Sequence, residues 1–351
     1  MDAQRGRVIT GLIRVAPRRG DHRVAIRAAL ALAVPLLALW AIGRVDLSMY
    51  ACFGAFASLY GRLDAYADRV RMQVAAGVTL IVAMLIGTSM ALLAAPAVVC
   101  VVVVATLAAI GSIVAYRWHW HPPGSLFVVF AAGATASIPA TAASFGDVVV
   151  VGGASAAFSV ALAAAIALVR KGPSALRRRP HRTPQDAPAA SMGLAVGIGA
   201  LLAGLARLLL IGDHWYWAMV AAVAALGGAQ LSARVVRGLQ RLIGTLVGVV
   251  IAAGILALDL PPLATMAMAV LLRAGAELYI NRNYGLAMIF VTPLALVMVE
   301  LADPVDPGVL LRDRALDTAI GVAVGTAVAV VSAWWRGRAD RVDRPDVAAR
   351  P

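Results

Sequence analysis

The sequence predicts an all-α polytopic membrane protein of about 12 transmembrane helices, built as two parallel six-helix repeats. Three observations predict it. Of 351 residues, 62% are hydrophobic and 14% charged, with a mean hydropathy of +0.86. That is too little polar material to cover a soluble surface of this size, so lipid must serve as part of the solvent. Apolar runs near the length a bilayer requires, about 20 residues, recur along the whole chain. Arginines gather in alternate connections between the runs, as expected of a multi-pass protein whose basic loops stay on the cytoplasmic side.

The elements follow in order. Residues 1–23 read as a basic cytoplasmic N-terminus. The first apolar run, Val24 to Gly43, has further runs behind it and no convincing small-residue cleavage site, so it is a retained helix and not a signal peptide. Runs from Leu47 to Gly61, Val70 to Ala94, Ala97 to Tyr116, Ser125 to Ala142 and Val148 to Val169 complete a first membrane repeat, 24–169. Arg170 to Pro188 holds six basic residues and four prolines, a composition that cannot span, so 170–191 is read as a solvated cytoplasmic linker. The second repeat, 192–335, contains runs from Met192 to Ile211, Trp215 to Ala229, Leu242 to Leu258, Pro262 to Ile280, Tyr284 to Leu301 and Ala315 to Trp335. Residues 336–351 form a cytoplasmic tail. The runs at Leu47 and Trp215 are short for a bilayer.

Charge tests this topology. With the N-terminus inside, Arg62, Arg69, Arg71, Arg117, the linker, Arg234, Arg237, Arg241, Arg282 and the basic tail all fall on the cytoplasmic side. Outside lie only Arg44, Arg312 and Arg314, while Arg207 and Arg273 fall within spans. So skewed a distribution supports an even number of spans and both termini inside, and it explains the net charge of +13 without nucleic acid. The halves also echo one another: each has a long first span, a short second one and a basic loop opening a third, with Phe130 matching Phe290 and Gly153 matching Gly321. Because each half holds an even number of spans, such repeats must be parallel, with a pathway expected between them. Cys52 and Cys100 lie in apolar spans and read as buried thiols.

One segment carries the most specific pattern. On a helix, Arg234, Arg237, Arg241, Gly244 and Gly248 fall at steps of three and four, so cations and then glycines share one face. Glycines let a neighbouring backbone approach closely in lipid. In the first half Arg69, Gln73 and Gly77 share a face in the same way, with Arg71 beside them. The run Arg237-Gly238-Leu239-Gln240-Arg241 with Gly244-Thr245 and Gly248, just after the aromatic-rich span opening at Trp215, resembles the hallmark of fusaric acid resistance (FUSC) and aromatic acid exporter proteins. Plant aluminium-activated malate transporters carry a similar basic Gly-Thr segment. The likeness extends over Arg282-Asn283-Tyr284-Gly285 and from Asp317-Thr318 to Gly325, and more weakly through the first half. The resemblance implies export or channel passage of organic anions, in some members aromatic carboxylates, across a bacterial cytoplasmic (inner) membrane. Many bacterial members also carry a large cytoplasmic domain, and no stretch here is long and polar enough to be one.

Intramembrane polar groups are the candidate functional residues, since charges in hydrocarbon are usually paired or face a cavity. Arg273 and Glu277 stand one turn apart; they read either as a self-satisfied ion pair or as a substrate-binding cation beside a gating or proton-coupling carboxylate. Asn281, Arg282 and Asn283 follow at once and place donors suited to a carboxylate at the inner mouth. Asp317, with Asp147 in the matching place of the first half, either has a proton or gating role, or pairs with Arg312 or Arg314 or lies in the interface, and Glu300 is either a gate or a hydrated helix end. Arg207 either snorkels outward or faces the pathway. Trp215, Tyr216 and Trp217 at one surface and Trp334 and Trp335 at the other read as interfacial belts. Pro139 and Pro293 interrupt spans in corresponding places, as in helices broken along a pathway.

Several classes are disfavoured. There is no phosphate-binding Gly-x-x-x-x-Gly-Lys-Ser/Thr, so ATP does not drive the chain directly. No nucleophile, base and orienting group are assignable, so no enzyme is expected. His119 and His121 alternate, but no further Cys or His supports a metal, and neither metal nor cofactor is expected. The partners expected are the lipid bilayer and a small organic anion, with a homo-oligomer or an accessory envelope protein as further candidates. Three functions stand: an exporter driven by a proton gradient or the membrane potential, a passive anion channel, and a non-transporting scaffold for cell-envelope assembly.

Overall fold

The computed structural model describes residues 15, 21–62, 64–172, 187–210, 214–228 and 230–342. Helices, and no strand, form among these residues. The helices before the linker are α1 (Asp21–Ala41), α2 (Val45–Leu59, α-helical over Ser48–Ala55 with 3-10 turns at both ends), α3 (Tyr66–Leu92), α4 (Ala97–Arg117), α5 (Leu126–Ala136) and α6. The last is one continuous helix of Ala142–Asp147, a π turn Val148–Gly152 and Gly153–Lys171. After it come α7 (Ala187–Leu208), α8 (Tyr216–Leu226), α9 (Leu231–Leu256), α10 (Pro262–Tyr279), α11 (Tyr284–Ala302) and α12 (Pro307–Val342). Most of the expected basic N-terminus, linker and tail lie outside the described residues.

Each expected apolar run coincides with a helix, but twelve runs are not twelve helices of bilayer length. Among the described residues, eight helices are long and apolar enough to cross a membrane: α1, α3, α4, α6, α7, α9, α11 and α12. The others fall short in length or hydropathy: α2, α5 and α8 are short apolar helices, and α10 carries Arg273 and Glu277. Short apolar helices are tolerated at membrane depth only where protein covers them. That condition is met for α8, whose every residue from Tyr216 to Leu226 is buried, and for α2, buried from Ser48 to Leu59.

Boundaries differ from expectation where charge was read as an end. The α9 helix begins at Leu231 and not Leu242, because arginine is a good helix former and its guanidinium finds carbonyl partners within the protein. The expected span through Ala142 stops at Ala136, with Pro139 in the break between α5 and α6, since proline disfavours helix in the residue before it. Pro293, by contrast, stays inside a continuous α11. These two prolines therefore do not break corresponding helices.

Neighbours are arranged regularly. Within the first half α3 packs on α5 and α6, α2 on α6, and α4 on α5; within the second, α9 packs on α11 and α12, α8 on α12, and α10 on α11. Between the halves α4 packs on α7, α1 on α10, α5 on α8 and α2 on α11. Aromatic rings fill part of this seam: Phe53 and Phe56 of α2 meet Phe130 and Phe127 of α5, and Phe130 stacks on Tyr216 of α8 at 6.1 Å. The expected outer belt of Trp215, Tyr216 and Trp217 is thus interior, all three rings being buried. Trp334 and Trp335 are exposed. Large aliphatic side chains such as Val250, Leu271 and Val169 are also exposed, the surface expected where lipid is the solvent. Cys52 and Cys100 are free, buried thiols.

Candidate functional site

The basic segment of α9 turns inward. Arg237 donates from Nε to the Ala224 carbonyl (3.1 Å) and lays its guanidinium 3.9 Å over the ring of Tyr284. Arg241, 2% exposed, donates from Nη1 to the Tyr284 hydroxyl at 2.8 Å, while its Nε is buried without a hydrogen-bond partner. Arg234 donates to the Gly228 carbonyl at 2.8 Å and tethers the turn between α8 and α9. Two cations therefore converge on one phenol at the start of α11. Tyr284 was not anticipated as a site residue; its place beside Asn283, within the quoted Arg282 to Gly285 likeness, was the signal available.

The glycines make the close helix approach that their spacing suggests. A Cβ on Gly244 would meet the Gly285 carbonyl and Met288 Cβ (2.7 Å); one on Gly248 would meet Thr292 Cβ (2.7 Å) and the Met288 carbonyl (3.1 Å). These residues seat α9 against α11 of the same half and do not line a gap between halves. Thr292, beside Pro293, donates from its hydroxyl to that of Thr245 at 3.4 Å, so the proline-bearing helix is held at this close approach. An open groove of about 340 Å³ borders the contact, lined by Gln240, Ile243, Gly244, Asn283, Gly285 and Leu286.

At the opposite end of the half, Arg207 closes α7 and is 1% exposed. It does not snorkel. Its Nε donates to Asp317, and its Nη2 lies 3.1 Å from Asp313 Oδ1. Asp313 Oδ2 in turn meets His214 Nδ1 at 3.2 Å, in front of α8. Pairing with Arg312 or Arg314 was one of the alternatives for Asp317. Arg312 is an exposed neighbour of Asp313 at 3.4 Å, and Arg314, expected outside, is buried over the Trp217 ring at 4.6 Å. Arg314 is within electrostatic reach of Asp317 on one side and of Arg241 and Tyr284 on the other. A column of polar groups, buried except for half-buried Arg237, therefore runs through the second half, from Arg237 and Tyr284 to Asp313 and His214, between α8, α9, α11 and α12. Asp313 and His214 were missed; the i, i+4 spacing of Asp313 and Asp317 was the only sequence signal.

A separate cluster forms where the halves meet. Glu277 is 2.8 Å from Arg62 in the turn between α2 and α3 and 3.7 Å from Arg273 on its own helix. The expected pair is thus a triad, and the nearer partner comes from the other half. Arg273 also lies 5.0 Å from the Phe56 ring centre.

The remaining candidates do local work. Arg69 donates to the carbonyls of Gly61, Arg62 and Asp64 (3.0, 3.1 and 3.2 Å), fastening the α2–α3 turn, while Arg71 is exposed and 3.9 Å from Asp68. Asp147 lies 3.6 Å from Arg44, whose guanidinium pKa is pushed up by its hydrogen bond to Asp46 and then by the charges around it. Glu300 Oε2 accepts from the Val305 amide at 3.4 Å. Asn281 and Arg282 sit half-buried in the turn between α10 and α11. The Asn283 side-chain oxygen accepts from the Leu286 amide at 3.0 Å and caps α11, so Asn283→Ala is expected to cost about 1 kcal/mol of stability, measurable as a lowered Tm of the purified protein.

Among curated proteins and among solved structures, no match to the chain was found. Residues 194–328 match the profile of one family, described as fusaric acid resistance protein-like. The matched stretch contains the whole polar column: Arg207, His214, Arg237, Arg241, Tyr284, Asp313, Arg314 and Asp317 all fall inside it. The second half of this multi-pass membrane protein is accordingly similar, over residues 194–328, to fusaric acid resistance protein-like proteins.

Proposed function

We propose that this protein exports small organic anions, aromatic carboxylates foremost, across a bacterial inner membrane with both termini cytoplasmic. The observation that carries the reading is the convergence of half-buried Arg237 and buried Arg241 on buried Tyr284, continued by Arg314 toward the Asp317 cluster. Guanidinium groups held out of water attract a carboxylate strongly, and several in series let it pass without being trapped at one. The membrane potential, negative inside, favours anion exit by roughly 2.3 kcal/mol per charge per 100 mV. Asp317 and Glu277 are the carboxylates placed to gate export or to carry a coupled proton.

The molecule is read as two parallel repeats of six helices, 24–169 and 192–335. What supports this is the recurrence of each neighbour relation six helices later: α3 with α5 as α9 with α11, α2 with α6 as α8 with α12, and α4 with α7 as α10 with α1. Glycines also mark the same contact in both halves, Gly54 against α6 and Gly321 against α8.

The test is efflux of labelled benzoate from proteoliposomes, with and without a pH gradient. Arg241→Gln removes one charge-assisted hydrogen bond and is expected to slow efflux roughly tenfold or more. Rates that follow the anion's Nernst potential whatever the pH gradient would mark a passive channel. Efflux no faster than from empty vesicles, over a broad anion panel, would leave the envelope scaffold as the reading.

A further inference from the structure

Three buried guanidinium groups share one buried carboxylate where α1, the α2–α3 turn and α10 meet. Arg27, Arg62 and Arg273 surround Glu277, with Arg69, Tyr66 and Asp64 at the margin. Arg69 is spent on three backbone carbonyls. The other three are not satisfied: Arg27 Nε, Arg62 Nη1 and Arg273 Nη2 are buried without a hydrogen-bond partner. Cations buried in excess of their carboxylates are costly in a membrane protein and call for an anion. One wall is aromatic, with Phe56 under Arg273 and packed at 5.6 and 5.0 Å on Phe53 and Phe127.

We propose that this cluster is a second carboxylate site, in which Glu277 is a tethered carboxylate holding the place of an aromatic carboxylate in transit. The inference rests on the export reading. An arriving carboxylate exchanges with Glu277 on Arg62 and Arg273 and sets its ring against Phe56. The exchange also undoes the bridge between Arg62 of one half and Glu277 of the other, so occupancy and loosening of the seam are one event.

Benzoate binding measured by calorimetry on the protein in phosphatidylcholine nanodiscs tests this. If Glu277 fills the site most of the time, Glu277→Gln tightens benzoate at least roughly tenfold, the fraction of empty sites setting the apparent affinity. Adding Arg62→Gln removes the gain, and uncharged benzyl alcohol shows none. Should the Gln variant fail to fold, Glu277→Asp, with its carboxylate drawn back by one methylene, carries the same test with a smaller gain. No tightening in either folded variant overturns the proposal. A gain that disappears when the nanodiscs contain phosphatidylglycerol also overturns it, by assigning the site to a lipid headgroup. Arg241→Gln should leave the gain intact. Tightening without any wild-type efflux would sink the export reading alone, and efflux without tightening would sink this inference alone.

Discussion

Arg207→Ala is expected to destabilise the protein by about 3–5 kcal/mol, the usual cost of removing one partner from a buried ion pair. Its two carboxylates, Asp313 and Asp317, are both fully buried, and neither can turn to water when the guanidinium is lost. Thermal unfolding of the detergent-purified protein measures the loss. The combination Arg207→Leu, Asp313→Asn and Asp317→Asn removes the charges together and is expected to restore most of it, because neutral side chains bear a far smaller desolvation penalty than unpaired charges. Efflux then separates the two roles. A restored triple variant that exports at the wild-type rate would make the cluster a brace between α7, α8 and α12 and nothing more; a stable but inactive one would place it on the transport route.

Gly248→Leu is expected to abolish the folded state. Even the first atom of a side chain there would stand 2.7 Å from Thr292 Cβ and 3.3 Å from Pro293 Cδ, and neither a helix backbone nor a proline ring can give way. The strain lies at or above the top of the roughly 1–3 kcal/mol range for overpacking. Close contact of α9 with α11 also positions Arg241 against Tyr284, so the two helices cannot separate without opening the cationic site. Gly254 is the control on the same helix, since a Cβ there meets nothing within 4 Å. Gly254→Leu is expected to leave size-exclusion behaviour unchanged while Gly248→Leu yields aggregate; equal behaviour of the two would show that α9 is not locked at Gly248.

The pattern of the segment from Arg234 to Gly248 was legible before any coordinates, because a helix places residues three and four apart on one face whatever surrounds it. What that face touches was not legible. The arginines meet Tyr284 and the glycines meet Met288 and Thr292 of the same half, whereas the sequence placed the expected pathway between the halves. Trp215, Tyr216 and Trp217 show the same limit: their position at the start of an apolar run suited a belt at the membrane surface, yet α5 and α12 cover them. An amphipathic ring suits a headgroup layer and a buried seam alike.

The amino-acid order by itself determined that this chain is helical, that its helices are apolar enough for lipid, and that a basic, glycine-bearing helix opens the second half's third element. These are properties of neighbours along the chain, set by hydropathy and by the helical period. Tertiary structure alone decided which charge answers which: Glu277 to Arg62, and Asp317 and Asp313 to Arg207. Each of those partners lies far away in sequence and next to it in space. In hydrocarbon the energy of a charge depends on the few ångströms around it, and no local pattern carries that distance.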